Sequence, residues 1–417
     1  MAEVLKLKCS VCDREYAPHE VQYTCPVCGD VGTLDVLYDY ERLREELERD
    51  TPRSDRSMWR WRDLLPIAPE TIVPPLRVGG TPMFRSPRLE VDLGIGEAWL
   101  KDDGQNPTGS LKDRASALIV ARALEAGIET VSTASTGNAA AALAGIGASV
   151  QSGSIKTIIF VPASAPEAKI AQLLVYGATV VLVEGTYDQA FDLCKAICLE
   201  QGWYCRNTGM NPYTAEGKKT VAYEIAESLG WDVPDVVAVG VGDGNIIAGV
   251  HKGFYDLYQL GWIERIPRLM GVQALGSSPL VSAWEQGLSA TDMQPVEVDT
   301  IADSISAGLP RDRSRALRAV RQTNGAFIAV SDEEILAAIP ALARLTGVFC
   351  EPSCAAVYAG VRRAVQLGLI RSDERVTLLL TGNGLKDIKR AQQSVSGGLR
   401  VAPNLDSVRR ALQLEVS

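Results

Sequence analysis

The chain has 417 residues, 46% of them hydrophobic and 22% charged, which is the balance of a globular protein with room for two or three domains. A formal charge of −9 excludes the basic face that nucleic acid demands, and no apolar run reaches the roughly 18 residues that a membrane span requires. The first residues lack an apolar signal core, so the expected location is the cytoplasm, where the nine cysteines stay mostly reduced.

In chain order the first signal is Cys9-x2-Cys12 followed, 12 residues later, by Cys25-x2-Cys28. Two short knuckles at this separation fit a tetrahedral four-thiolate site for zinc, or for iron in the same ligand set. Gly29 supplies the tight turn behind the second pair. A closed site of four cysteines leaves no position for a substrate, so residues 1–40 are read as a structural zinc ribbon. Cys194 and Cys198 lie one helical turn apart near Phe191 and Ile197, while Cys205, Cys350 and Cys354 are scattered. All five read as small buried hydrophobes.

Residues 41–78 form a linker with a solvated helix over 41–50 and with Trp59 and Trp61 as anchors further on. From Gly79 onward, apolar strands alternate with helices. The segment Asn106-Pro107-Thr108-Gly109-Ser110-Leu111-Lys112-Asp113-Arg114 opens a helix over 114–125 that ends near Gly127. Ser110 with Asp113 has the capping-box spacing. Lys112 then meets the positive end of the helix dipole, which disfavours its ammonium form. An amine that is easily deprotonated is what Schiff-base chemistry needs.

Strands follow at 130–134, 157–161, 179–184, 236–241, 268–274 and 375–380. The helices between and beside them cover 139–148, 167–176, 187–200, 218–229, 246–260, 312–322, 332–345 and 353–367. Continuous apolar strands alternating with helices predict an α/β fold with open parallel sheets buried on both faces. The two histidines, His19 and His251, fall at no motif.

Three turns follow apolar strands, where open α/β sheets bind their ligands. Ser135-Thr136-Gly137-Asn138 presents hydroxyls and amides at a helix N-terminus, suited to a carboxylate or phenolate oxygen. Gly240-Val241-Gly242-Asp243-Gly244-Asn245 lets backbone N–H groups converge on a phosphate. Its Gly-x-Gly-x-Gly spacing and late position differ from a dinucleotide fingerprint, so it is read as a monophosphate cradle. Thr381-Gly382-Asn383-Gly384-Leu385-Lys386-Asp387 places a hydroxyl at a strand end, able to meet a neutral ring nitrogen. An amine, a phosphate cradle, an anion turn and a hydroxyl for a heteroatom together describe a site for pyridoxal 5′-phosphate.

These segments resemble the threonine synthase family, within the fold type II pyridoxal-phosphate enzymes (tryptophan synthase β-like) that also include threonine dehydratase and cysteine synthase. The resemblance rests on residues 106–114, with Leu111 where Phe is usual, on Gly79-Gly80-Thr81-Pro82, and on Ser135 to Asn138. It rests also on Glu216-Gly217-Lys218-Lys219-Thr220 with Tyr223-Glu224-Ile225, on Glu351-Pro352-Ser353, and on Thr381 to Asp387, while many members carry an N-terminal ribbon. It implies that Lys112 forms the Schiff base and moves protons, that Asn138 meets the cofactor's 3′ oxygen, and that Gly242, Asp243, Gly244 and Asn245 wrap its phosphate. Thr381 would meet the pyridine nitrogen, Ser135 and Thr136 the substrate carboxylate with Thr108 nearby, and Asn207 and Thr208 the substrate phosphate. The implied domains are a cofactor domain of 79–115 and 215–400, a smaller mobile domain of 116–214, and a tail of 401–417 carrying a short helix. A homodimer is implied as well.

The implied reaction converts O-phospho-L-homoserine and water to L-threonine and phosphate. One alternative is β-replacement of the cysteate synthase kind, on O-phosphoserine and sulfite; another is a serine/threonine dehydratase-like elimination. A regulatory protein on a dead scaffold would lack the lysine or the phosphate loop, and both are present. One position departs from the family pattern. Thr214 stands where an arginine is expected to grip the substrate phosphate, and Arg206, Lys218 and Lys219 are the basic residues near enough in sequence to replace it.

Overall fold

The computed structural model describes residues 3–414 except 52, 152 and 166. At the N-terminus β1 (Lys6–Cys9), β2 (Glu15–Tyr16) and β3 (Leu34–Leu37) form an antiparallel sheet in the order β2-β1-β3. Gly29, at φ +64°, turns the chain behind the second cysteine pair. The ribbon is docked rather than free. Arg315 donates to the Leu34 carbonyl at 2.9 Å, Arg318 pairs with Asp35 at 2.7 Å, and the Ser10 and Ser314 hydroxyls meet at 2.6 Å.

The expected helix over 41–50 is shorter, Tyr40–Glu46, because Leu47 turns extended; Asp39 caps its start by accepting from the Arg42 N–H. The linker beyond it is packed. A 3-10 helix, Met58–Leu64, buries Met58, Trp59, Trp61 and Leu64. Trp61 sets its ring edge-on to Tyr223 and Trp231, with centroids 5.4 and 6.2 Å away.

β4 (Met83–Arg85) and β5 (Glu97–Asp102) open the larger sheet, and the chain then leaves to build the smaller one. That smaller sheet is parallel, in the order β8-β7-β6-β9, from β6 (Thr130–Ala134), β7 (Lys156–Pro162), β8 (Thr179–Val183) and β9 (Tyr204–Cys205). The chain returns through β10 (Val236–Gly240), β11 (Arg268–Ala274), β12 (Ala326–Val330) and β13 (Arg375–Leu380), completing the order β12-β11-β10-β13-β5-β4. Central β10 is buried at every position, as its run of valines requires.

The larger sheet is not wholly parallel, which corrects the sequence expectation. β4 runs antiparallel to β5, with Met83 opposite Lys101. The connection between them, occupied by helix Pro87–Leu93, is shorter than the dozen or so residues a parallel crossover takes. The helix expected over 218–229 is Thr220–Ser228, and a short helix that the sequence reading lacked, Tyr213–Lys218, precedes it. Among the described residues the tail carries one helix, Leu405–Leu412.

Candidate active site

The strand ends of both sheets converge on one small cavity. Lys112 and Thr381 enter it from beyond β5 and β13, Asn138 from beyond β6, Thr208 from beyond β9, and Gly242, Asp243, Gly244 and Asn245 from beyond β10. An adjoining cavity shares Asn138, Ser304 and Glu351 and adds Thr136 and Lys386. This is the crevice at carboxyl ends of strands that open α/β sheets use.

Lys112 is the first residue of helix Lys112–Glu125. Backbone pairing fixes its place: Ser110 bridges Gly382, the Leu111 N–H donates to the Thr381 carbonyl at 2.9 Å, and the Asn383 N–H to Gly109 at 3.0 Å. The expected capping box does not form. The helix start has no side-chain cap, Ser110 Oγ is buried without a partner, and Asp113 instead accepts from Thr108, through its N–H at 2.7 Å and through its hydroxyl. Asp113 faces inward, so its carboxylate serves the loop before the helix rather than the helix end. Burial holds the Lys112 amine down to about 8, with the Arg206 guanidinium adding to the effect against Asp243 and Glu351. Desolvation, rather than the dipole alone, is thus what disfavours the charged form.

The helix is anchored two residues on. Arg114, fully buried, pairs with Asp103 at 2.6 Å and with Glu224 at 2.7 Å, and Lys101 pairs with Glu224 at 2.6 Å. The segment Gly79-Gly80-Thr81 is tied into the same network by the Gly80 N–H on Glu224 and the Thr81 hydroxyl on Asp103. Gly80 sits at φ +60°, and a Cβ there would lie 1.7 Å from the Arg56 carbonyl oxygen. No side chain fits.

The glycine turn after β10 leads into helix Asn245–Gln259, with Gly244 at φ +87°. A Cβ on Gly242 would come within 2.9 Å of the Ile305 backbone. Backbone N–H groups are therefore what this turn offers, since the Asp243 carboxylate is engaged by the Arg311 N–H at 3.2 Å. Lys218 donates to Asn245 Oδ1, and the Asn245 amide donates to Asp312 at 2.7 Å. A buried ammonium thus lies beneath the turn, and burial followed by Lys112 and Arg206 holds it well below the usual lysine range.

Other site residues are less open than the sequence implied. Ser135 Oγ accepts from the Gly137 N–H at 3.2 Å, and Thr108 is bound to Asp113. Asn207 Oδ1 accepts from the Ala134 N–H at 2.7 Å, pinning the end of β6 to the segment after β9, while its Nδ2 is buried and unpartnered. Sequence reasoning gave no role to Glu351. Its carboxylate accepts from Asn138 at 2.9 Å, Ser304 at 3.1 Å and Ser353 at 2.6 Å, and it belongs to both cavities. Its only sequence signal was the Glu-Pro-Ser turn.

The ribbon's four cysteines, Cys9, Cys12, Cys25 and Cys28, bring their sulfurs within 4.8 Å of one another. Cys194, Cys198 and Cys205 are gathered equally closely and are all buried, although in sequence Cys205 looked isolated.

The family model for pyridoxal-phosphate dependent enzymes matches residues 75–382. A threonine synthase of Methanosarcina acetivorans is 39% identical over 411 residues, covering 97% of this chain and 98% of its own length. One from Methanocaldococcus jannaschii is 38% identical over 409 residues, covering 97% and 99%. Among solved structures, the processed threonine deaminase isoform 2 of Solanum lycopersicum aligns with TM-score 0.64 and 21% identity over 76% of this chain and 87% of its own. Maize serine racemase aligns with TM-score 0.63 and 20% identity over 75% and 92%. These structural likenesses carry the fold.

Proposed function

The chain belongs to the threonine synthase family of pyridoxal-phosphate dependent enzymes, and from that premise we propose that it converts O-phospho-L-homoserine and water to L-threonine and phosphate, with Lys112 as the cofactor's lysine. The fold is α/β, of fold type II. The observation that carries the residue roles is the single cavity in which an amine held down to about 8, an inward-facing glycine turn over a buried ammonium, and the Thr381 hydroxyl meet.

These residues fit pyridoxal phosphate. Lys112 would bind it covalently, Gly242 to Asn245 with Lys218 below would hold its phosphate, Asn138 would face its 3′ oxygen, and Thr381 its ring nitrogen. The group supplies, when bound, an electron sink for the bonds broken next to the amino-bearing carbon. A hydroxyl rather than a carboxylate at the ring nitrogen keeps that sink modest, which suits elimination and replacement. The protein moves the protons. Lys112 removes one from Cα, and as a buried amine it exchanges protons readily at neutral pH. It then takes a proton from Cβ as phosphate departs from Cγ; Cγ receives a proton, water adds at Cβ, and a proton returns to Cα. The Ser135–Asn138 turn at the helix N-terminus receives the substrate carboxylate.

The test is joint quantification of phosphate and threonine from O-phospho-L-homoserine. Equal amounts are expected. Turnover of O-phosphoserine with sulfite in its place would replace this reading with the cysteate synthase one.

Cofactor capture supplies a pH prediction. The free amine must be neutral to react, and its ordinary value is lowered to about 8, so the neutral fraction falls as pH drops below that point. The uptake rate of pyridoxal phosphate by the stripped enzyme should climb about tenfold per pH unit up to that value and then level off. A rate that stays flat from about pH 6 to about pH 9 would contradict the assignment.

The same reading gives the ribbon one zinc ion, supported by the closeness of its four sulfurs. Cys12 is the exposed member, so Cys12→Ser removes a ligand with little loss of packing. One zinc per chain is expected by metal analysis and less than a tenth of that, roughly, in the variant. Equal zinc in both would dismiss the site. The family resemblance further suggests a cytoplasmic homodimer; among the described residues no helix is long and apolar enough to cross a membrane.

A further inference from the structure

Arg206 is a buried cation held without a carboxylate partner. Arg114 and Arg315, also buried, each pair with carboxylates: Arg114 with Asp103 and Glu224, Arg315 with Asp312. Arg206 is fully buried just after β9, where its N–H donates to the Ser132 carbonyl at 2.7 Å. Its guanidinium reaches only hydroxyls: Nε donates to Ser116 Oγ at 3.3 Å and Nη1 to Thr208 Oγ1 at 2.8 Å. Nη2 has no partner, and neither does the adjacent Asn207 Nδ2. Among the described residues no carboxylate forms an ion pair with it. A desolvated guanidinium without a counter-ion is costly, and burial draws it down to about 10. A protein holds such a group where an anion comes and goes.

The two lysines on the same segment are already engaged. Lys219 pairs with Glu216 at 2.6 Å and Asp256 at 2.8 Å. Lys218 is bound to Asn245 beneath the glycine turn. Thr214, at the position where relatives are expected to carry arginine, is fully buried and donates to the Asn211 carbonyl at 2.7 Å, so it braces the backbone rather than facing the cavity. Thr208, the hydroxyl partner of Arg206, lines the same cavity as Lys112.

We propose that Arg206, together with Asn207 Nδ2 and Thr208 Oγ1, receives the phosphate of the substrate, so that the charge missing at position 214 is supplied from the other side of the same segment. This rests on the reading above that the substrate carries a phosphate. The three consecutive residues offer two unpartnered donors and a hydroxyl, and a planar guanidinium suits a dianion better than an ammonium does. The cofactor's own phosphate is served separately by the turn after β10.

The test uses the holoenzyme and two probes that bind without turnover, read by the change in the bound cofactor's visible absorbance. One is the phosphonate isostere of O-phospho-L-homoserine; the other is L-2-aminobutyrate, which lacks the anion. Arg206→Gln should weaken the phosphonate about 100-fold and the aminobutyrate by less than about 3-fold. Cofactor content should match the parent. If the glutamine variant does not fold, Arg206→Lys keeps the charge without the fork and should lose about 10-fold, again on the phosphonate alone.

Equal weakening of both probes would overturn the proposal, because Arg206 would then act through Lys112 or the fold. Loss of cofactor from the variant would also overturn it and assign Arg206 to the cofactor phosphate. So would a phosphonate-selective loss in Lys386→Gln but not in Arg206→Gln, since Lys386 Nζ is also buried and unpartnered, at the adjoining cavity. Parent enzyme binding both probes alike would refute the phosphorylated-substrate reading itself, and the proposal with it.

Discussion

Replacing Lys112 by alanine is expected to lower turnover by at least about 10,000-fold, because one amine carries both the covalent attachment and the proton transfers. The visible band of the lysine-bound cofactor should vanish, and borohydride reduction should no longer fix the cofactor to the chain. In the parent, the same reduction should label the peptide containing residue 112. The alternative amine is Lys218, which is buried nearby and also held below the usual lysine range. It is engaged by Asn245, whereas the Lys112 amine makes no hydrogen bond to the protein among the described residues. Label on Lys218, or a Lys112→Ala enzyme that keeps its band after dialysis and denaturation, would remove the assignment.

The second large effect is structural. Glu224→Gln is expected to cost about 3–5 kcal/mol of stability, the usual result of breaking a buried charge network from one side. Glu224 accepts from Arg114 at 2.7 and 2.8 Å, from Lys101 at 2.6 Å and from the Gly80 N–H at 2.9 Å. Burial pushes its carboxyl up, but Arg114 and Lys101 outweigh that and keep it well below the usual range. Glutamine would leave Arg114 with Asp103 alone and Lys101 with only the Thr81 carbonyl. Arg114 also ties down the helix that begins at Lys112, so cofactor occupancy should fall together with stability. Denaturant unfolding checks the claim; a change of less than about 1 kcal/mol would show that the network is not what holds this helix in place.

Sequence made the placement of the candidate site legible where it was local. The turn ending in Lys112, the glycine turn after β10 and the Cys-x2-Cys pairs are each contiguous, and each places its donors by backbone geometry alone. What depended on distant partners was hidden. β5 reads Glu-Ala-Trp-Leu-Lys-Asp, and nothing in that run announces that Lys101 pairs with Glu224, 123 residues away. Ser110 and Asp113 had the right spacing for a cap, but Thr108 claimed the carboxylate. Of the three cations offered as substitutes at position 214, only their partners in space could say that Lys218 and Lys219 were engaged and Arg206 was not. The antiparallel edge β4 was missed because three residues carry too little pattern.

The most direct test of the account runs the reaction on O-phospho-L-homoserine in heavy-oxygen water and reads each product by mass. Cleavage at Cγ with water added at Cβ predicts one heavy oxygen in the threonine hydroxyl and none in the released phosphate. Heavy oxygen in the phosphate, with homoserine as the other product, would mean that the P–O bond is cut and that Lys112 is not directing an elimination and addition.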